Sequence, residues 1–226
     1  MDKTAKWLQQ TLAYEFQDPA LLEEALTHRS AARRNNERLE FLGDAVLDFV
    51  VSDIVFQCRP EADEGDLSRF RASLVKDVHL AEVAASIGLG EHIILGSGEK
   101  KSGGHRRGSI LADALEALFA AIYIDAGFAA AEKVIRGLFA DLAAALPDSE
   151  ELKDPKTRLQ EILQSDGYPV PNYTLEKASG QAHKPVFEVS CGIEALQSRT
   201  VGYGTTRRHA EQEAAAAMLV KLTEGQ

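Results

Sequence analysis

Apolar residues recur at helical spacing over most of the first 145 positions, and β-branched runs are short there, so this part of the chain reads as helical. One helix start is marked locally: Asp18 is a good N-cap, and Pro19 takes the first helical position of Pro19-Ala20-Leu21-Leu22-Glu23-Glu24-Ala25-Leu26. Ser109 to Ile124 forms another strong helical pattern, and Gly127 and Gly137 punctuate the stretch beyond it. The texture then changes. Leu146-Pro147-Asp148-Ser149-Glu150-Glu151 is short and polar with one proline, as linkers are. Asp154-Pro155 opens a helix by the same cap-plus-proline logic, running to about Gln164. Three strand-like segments come next, Tyr173 to Glu176, Pro185 to Cys191 and Gln197 to Tyr203, and the middle one alternates at period two. An alanine-rich helix from about Arg207 to Leu222 closes the chain. The expected organisation is multi-domain: an all-α domain over 1–147, a linker over 148–153, and an α+β (α-β-β-β-α) domain over 154–224.

Composition narrows the class. With 226 residues, 45% hydrophobic and 27% charged, the chain can bury a core, which excludes a wholly disordered protein. The formal charge is −10, but it is unevenly spread: residues 1–150 carry 16 basic and 25 acidic groups, residues 151–226 carry 9 and 10. Such a balance argues against unspecific, charge-driven binding to nucleic acid or anionic membrane, while leaving room for a local basic patch. No run of about 18 apolar residues is present, so no membrane association is expected. Met1-Asp2-Lys3-Thr4-Ala5-Lys6-Trp7 lacks the apolar core of a secretion signal. Cys58 and Cys191 are far apart, which speaks against a disulfide framework or zinc ribbon, and a cytoplasmic setting is expected.

The acid excess is focused. On a helix through Asn36–Asp48, Glu37, Glu40, Asp44 and Asp48 fall within a sector of roughly 80°. Leu39, Leu42, Val46, Phe49 and Val50 fall opposite and should be buried. Phe41 lies beside the acids, so the acidic face is expected to meet something. Gly43 in mid-helix costs about 1 kcal/mol against alanine, which points to close packing there. The helix Ser109-Ile110-Leu111-Ala112-Asp113-Ala114-Leu115-Glu116 repeats the arrangement. Asp113 and Glu116 project together, with small neighbours Ser109, Ala112 and Ala120, opposite a stripe of Leu111, Leu115, Leu118 and Ile122. Two such helices can pack so that Glu40, Asp44, Asp113 and Glu116 converge. With no basic residue on the same faces, that cleft would require divalent cations, and hard oxygen ligands favour Mg²⁺ or Mn²⁺.

These residues carry a family resemblance. Asn36 to Asp44, NERLEFLGD, resembles the signature of bacterial ribonuclease III, and Ser109 to Glu116, SILADALE, resembles that family's second acidic block. The resemblance covers essentially the whole chain. It implies Glu40, Asp113 and Glu116 as metal ligands, with Asp44 and Glu116 as the catalytic carboxylates. It also implies Glu37 as an acid lining the substrate path, and Glu64 as another acid near the cleft unless it only caps the following helix. Phe41 would be an aromatic that inserts into the partner subunit of a homodimer. His28, His79, His92 and His105 are scattered and read as core or surface histidines. The segment Gly96 to Gly108 is Gly-rich and basic but lacks a P-loop ending; it reads as a flexible loop touching RNA phosphates or as an ordinary surface loop.

The C-terminal helix–strands–helix module resembles a double-stranded-RNA-binding domain, which reads A-form shape across about 16 base pairs. Arg207 and Arg208 start the last helix, where side-chain charge and free N–H groups can both serve phosphates. Gln160 and Gln164 stand one turn apart on the first helix, within reach of 2′-hydroxyls along a minor groove. His183, in the loop before the second strand, matches the loop that dips into the next minor groove. A module this close to neutral should grip weakly or with strong salt sensitivity.

The resulting expectation is a Mg²⁺-dependent endoribonuclease acting on double-stranded RNA as a homodimer, without an organic cofactor. It would leave 5′-phosphates, 3′-hydroxyls and short 3′ overhangs, and would process ribosomal-RNA precursors and structured transcripts. The rivals are a protein that binds duplex RNA without cutting it and a metal-dependent hydrolase of a small phosphorylated molecule. The intact acid set opposes the first, and the C-terminal module the second.

Overall fold

The computed structural model describes residues 3–181 and 184–224. The chain divides into two compact units, Met1–Pro147 and Asp148–Gln226.

The first unit is helical: α1 Lys3–Leu12, α2 Pro19–Leu26, α3 Glu37–Cys58, α4 Glu64–Leu74, α5 Asp77–Ser86, α6 Ser97–Lys101, α7 Gly108–Ala126 and α8 Phe128–Ala144. Asp18 caps α2 through a bond from Ala20 N, with Pro19 in the first turn, as its sequence predicts. The organiser is α7, which packs against α2, α3, α5 and α8. From Leu111 to Ile122 every residue of α7 is buried except Asp113 and Glu116. A helix apolar nearly all round belongs in the interior, so its two acids are the polar groups left facing a gap between neighbours.

The long helix α3 keeps the face expected of it at Leu39, Val46 and Val50, all buried. Phe49 departs: it is 64% exposed, its ring meeting Phe128 edge-on at 5.5 Å. It sits at the edge of the apolar sector, on the side α7 does not cover. Where α3 crosses α7, a Cβ on Gly43 would fall 1.8 Å from the Glu116 carbonyl oxygen. The helix propensity surrendered at Gly43 is therefore returned as backbone-to-backbone contact. Gly127, at φ 83°, makes the turn between α7 and α8, whereas Gly137 lies inside α8 and breaks nothing. The segment read as a Gly-rich loop holds α6, a short 3₁₀ turn at Gly104–Arg106 and Gly103 at φ 77° between them.

The second unit begins with a single helical turn, α9 Ser149–Leu152, inside the stretch expected as linker. Then come α10 Pro155–Ser165, capped by Asp154, the strands β1 Asn172–Gln181, β2 Lys184–Ile193 and β3 Ser198–Gly204, and α11 Arg207–Glu224. The sheet is antiparallel in the order β1-β2-β3, with an irregularity in β1 between Leu175 and Lys177. β2 turns Val189, Cys191 and Ile193 inward at period two. Leu159 and Leu163 of α10 and Ala214, Ala215 and Met218 of α11 complete that core. The alanines let α11 lie close: a Cβ on Gly202 of β3 would fall 2.2 Å from Ala214 N. Among the described residues no helix is long and apolar enough to cross a membrane.

The crossing at Gly43 is testable. Gly43→Ala must push α3 off α7, and overpacking of this kind costs about 1–3 kcal/mol or more. Urea unfolding should show that loss although alanine is the better helix former.

Candidate active site and RNA-binding surface

The Gly43–Glu116 contact sets the geometry. Glu40 and Asp44 lie to either side of the crossing on α3, and Glu116 lies on it. The carboxylates feel one another strongly. Burial pushes the Glu116 carboxyl up to about 8, helped by the charges of Asp44, Glu40, Asp113 and Asp77. Glu40 is raised by burial and then by Asp113 and Glu37, with Arg29 pulling the other way. Asp113 is raised by burial and by Asp77, against His28 and Arg29. Asp48, farther along α3, is raised by burial and faces Arg71 as well as Asp44.

A polar cleft of about 490 Å³ opens beside this set. Glu37, Glu40 and Asp113 line it, with His28, Arg29, Asn36, Glu99, Arg107 and Ser109. Asp44 and Glu116 are outside its lining and coupled to it through charge. The structure corrects one expectation here. The acid faces of α3 and α7 carry no basic residue of their own, but the segments around them bring His28, Arg29 and Arg107 to the same cleft. Arg29 approaches Glu37 at 3.4 Å, and Arg107 pairs with Glu99 at 3.1 Å.

Among the described residues no three Asp, Glu, His or Cys side chains close on one point as a ready-made ion cage. The donor chemistry nevertheless suits a hard divalent cation. The facing groups are carboxylates whose mutual repulsion a cation would relieve, and Mg²⁺ keeps several waters and needs only one or two carboxylates from the protein. Glu64 does not join this cleft. It is the first residue of α4, whose cap is Asp63, and it lines a separate cavity of about 410 Å³ with Phe49, Phe56 and Arg71. Phe41 is 82% exposed.

His28, His79 and His92 have ordinary partners. His28 Nδ1 lies 2.8 Å from Ser30 Oγ, His79 Nδ1 lies against the Ser73 carbonyl, and the His92 ring stacks on Trp7. Asp77 and Arg29 are neighbours of the acids that no sequence pattern singled out, while His28, read as a core or surface histidine, and Arg107, from the basic Gly-rich segment, also reach them.

In the second unit, Gln160 and Gln164 are exposed beside the buried Leu159 and Leu163 that seat α10 on the sheet. Arg207 and Arg208 are exposed at the start of α11. Arg207 is not independent, since its Nε donates to Glu211 at 3.0 Å. The other Glu211 oxygen accepts from Lys156 Nζ at 2.5 Å, a participant with no signature in the sequence. Gln212 Nε2 also donates to the α10 cap Asp154 at 2.6 Å. These bonds draw the N-termini of α10 and α11 together, so two helix dipoles and three cations share one edge. His183 lies outside the described residues.

Comparison with known proteins agrees with this architecture. Residues 18–142 match the family described as Ribonuclease-III-like, and residues 155–222 match the double-stranded RNA binding motif. A ribonuclease 3 of Aromatoleum aromaticum is 53% identical over 215 residues, covering 95% of this chain and 96% of the relative. One from Nitrosococcus oceani is 50% identical over 213 residues, covering 93% and 91%. The crystal structure of the nuclease domain of ribonuclease III from Campylobacter jejuni superposes with a TM-score of 0.59 at 45% identity, covering 65% of this chain and 100% of that one. A second structure of that domain, described for its flexibility in a region involved in dimer formation, gives 0.57 at 47% identity, covering 59% and 97%. The chain thus belongs to the ribonuclease III family, and is an endoribonuclease whose helical nuclease domain is followed by a double-stranded-RNA-binding domain.

Proposed function

We propose that this endoribonuclease hydrolyses the phosphodiester bonds of double-stranded RNA in a Mg²⁺-dependent reaction, with Mn²⁺ able to substitute, leaving 5′-phosphate and 3′-hydroxyl ends. The observation that carries this reading is the coupling of Glu116 to Asp44, Glu40 and Asp113 across a glycine contact, an arrangement that is unfavourable until a cation balances it. Glu40, Asp113 and Glu116 would hold the ion. When bound, Mg²⁺ supplies a water of lowered pKa and charge stabilisation at the leaving oxygen. Asp44, exposed beside Glu116, would orient the attacking water through its carboxylate. The RNA duplex would be held by Gln160, Gln164, His183, Arg207 and Arg208.

A homodimer is part of the proposal. Phe41, Phe49 and Phe56 all stand exposed on α3, at 82%, 64% and 67%, and exposed aromatics of that kind favour burial against a second copy. The biological role proposed is processing of ribosomal-RNA precursors and messenger RNA in the cytoplasm, where the free thiols of Cys58 and Cys191 suit the reducing conditions.

Labelled duplex RNA should be cut with Mg²⁺ and left intact with a chelator, the products accepting ligation through 5′-phosphates. Glu116→Gln should lose roughly 10³-fold in rate, within the usual range for removing a group that acts on the transferred proton or charge. Equal cleavage by the variant would sink the reading. Phe41→Ala should shift sedimentation towards the monomer.

Glu116 also predicts a pH-dependent stability. Its folded value of about 8 lies above the ordinary 4.5. Between those values the unfolded chain releases a proton that the folded chain retains, so stability without metal falls as pH rises across that window and levels off above it. Glutamine does not titrate. In chelator, the melting temperature of Glu116→Gln should match the parent near pH 4 and exceed it increasingly up to pH 8. Mg²⁺ should narrow the gap.

A further inference from the structure

We propose that Arg29 binds a phosphate of the cleaved strand next to the scissile bond, releasing Glu37 to do so as the strand enters the cleft. This rests on the nuclease reading above and adds a substrate contact from outside the two acidic helices.

Residues 27–30 are fixed from several sides. Thr27 forms a parallel bridge with Ile94, in which His28 N donates to Ile94 O at 3.0 Å and Ile94 N donates to Leu26 O at 2.8 Å. Gly96 N donates to Ser30 Oγ at 3.0 Å, and a Cβ at Gly96 would fall 2.1 Å from Ser30 O, so the two backbones touch. The His28 ring braces the same hydroxyl at 2.8 Å. A backbone held this firmly carries a side chain that is itself 71% exposed. Among the described residues the guanidinium has one acidic contact, to Glu37 at 3.4 Å, which is long for a charge-assisted bond.

The surroundings identify the ligand. Arg29 lines the cleft with Glu40 and Asp113, and its charge acts on both. An RNA strand crossing that cleft brings a phosphate every nucleotide. With Glu40, Asp113 and Glu116 holding a cation, the scissile one would face it, and the neighbouring ones would meet what the cleft wall offers. Of the two arginines on that wall, Arg107 is held by Glu99 at 3.1 Å, whereas Arg29 is the more exposed and more weakly paired. A phosphate accepts two parallel N–H bonds from a guanidinium fork, which one long contact to a carboxylate does not match.

The test uses the full chain, labelled duplex RNA and saturating Mg²⁺, measuring KM, kcat and the dependence of kcat/KM on salt concentration. For Arg29→Gln we expect KM to rise roughly tenfold, the loss falling on KM rather than kcat because the contact persists from ground to transition state. The slope of log kcat/KM against log salt should become shallower by about one, as for one lost phosphate contact. Arg29→Lys should restore the slope but only part of KM, since lysine keeps the charge and loses the fork. Melting of both variants should match the parent, a control for folding. An unchanged KM and slope in Arg29→Gln, with the parent enzyme cutting normally, would overturn the assignment alone, as would a lysine variant that fails to restore the slope. A parent chain that does not cut duplex RNA would overturn the nuclease reading and this inference together.

Discussion

The approach of α3 to α7 at Gly43 is the constraint on which the site depends. Without a Cβ there, the helix backbones meet at the Glu116 carbonyl, and the carboxylates flanking Gly43 on α3 are forced alongside Glu116. Like charges repel by a few tenths of a kcal/mol on an exposed helix face and by more when half-buried. Apolar burial holds them there: α7 sinks Leu111, Leu115, Leu118 and Ile122 into the core, and each fully buried side chain of that size contributes about 1.5–3 kcal/mol. The fold uses its core to keep an electrostatically strained set in place.

The sequence made visible whatever depends on neighbours along the chain. The Asp18-Pro19 and Asp154-Pro155 helix starts are local, and both form with the bonds their residue types allow. The faces of α3 and α7 come from period, and the approach of their acids comes from the crossing at Gly43. Gly43 was legible because a glycine in an otherwise helical run needs a reason. Period does not say how wide a helix's covered stripe will be, and for that reason it places Phe49 in the core although the ring is largely exposed. Composition at residues 96–108 reads as a loop, flexible or ordinary, and does not show that the segment holds α6 and a 3₁₀ turn or that Gly96 touches Ser30, far away in the chain.

The arrival of His28 and two arginines at the cleft escapes helical period for the same physical reason. His28 and Arg29 reach the acids through the Thr27–Ile94 bridge, and Arg107 through the turn before α7, contacts that no one-dimensional spacing encodes. The two helix faces alone give a cleft whose charge only divalent cations would balance, whereas the structure has one that is acidic on its helical walls and basic at its edge. An edge of that kind suits a polyanion better than a bare acid pocket would, because phosphates away from a bound cation find partners.

The same distinction between net charge and arrangement applies to the C-terminal unit. Its 9 basic and 10 acidic residues over 151–226 look poor for an RNA binder. Yet Glu211 commits its two oxygens to fixing Lys156 and Arg207 where α10 and α11 begin, so one acid orients two cations beside two helix N-termini. Helix ends add positive potential without adding formal charge, and preorganised side chains lose less entropy on meeting a phosphate. The nuclease unit carries the larger acid excess, 25 acidic against 16 basic groups over 1–150, so the basic edge of its cleft works against a net repulsion of RNA. A cation in its cleft would lower the repulsion felt by the strand and activate the water that cuts it, tying admission of the substrate to readiness for the chemistry.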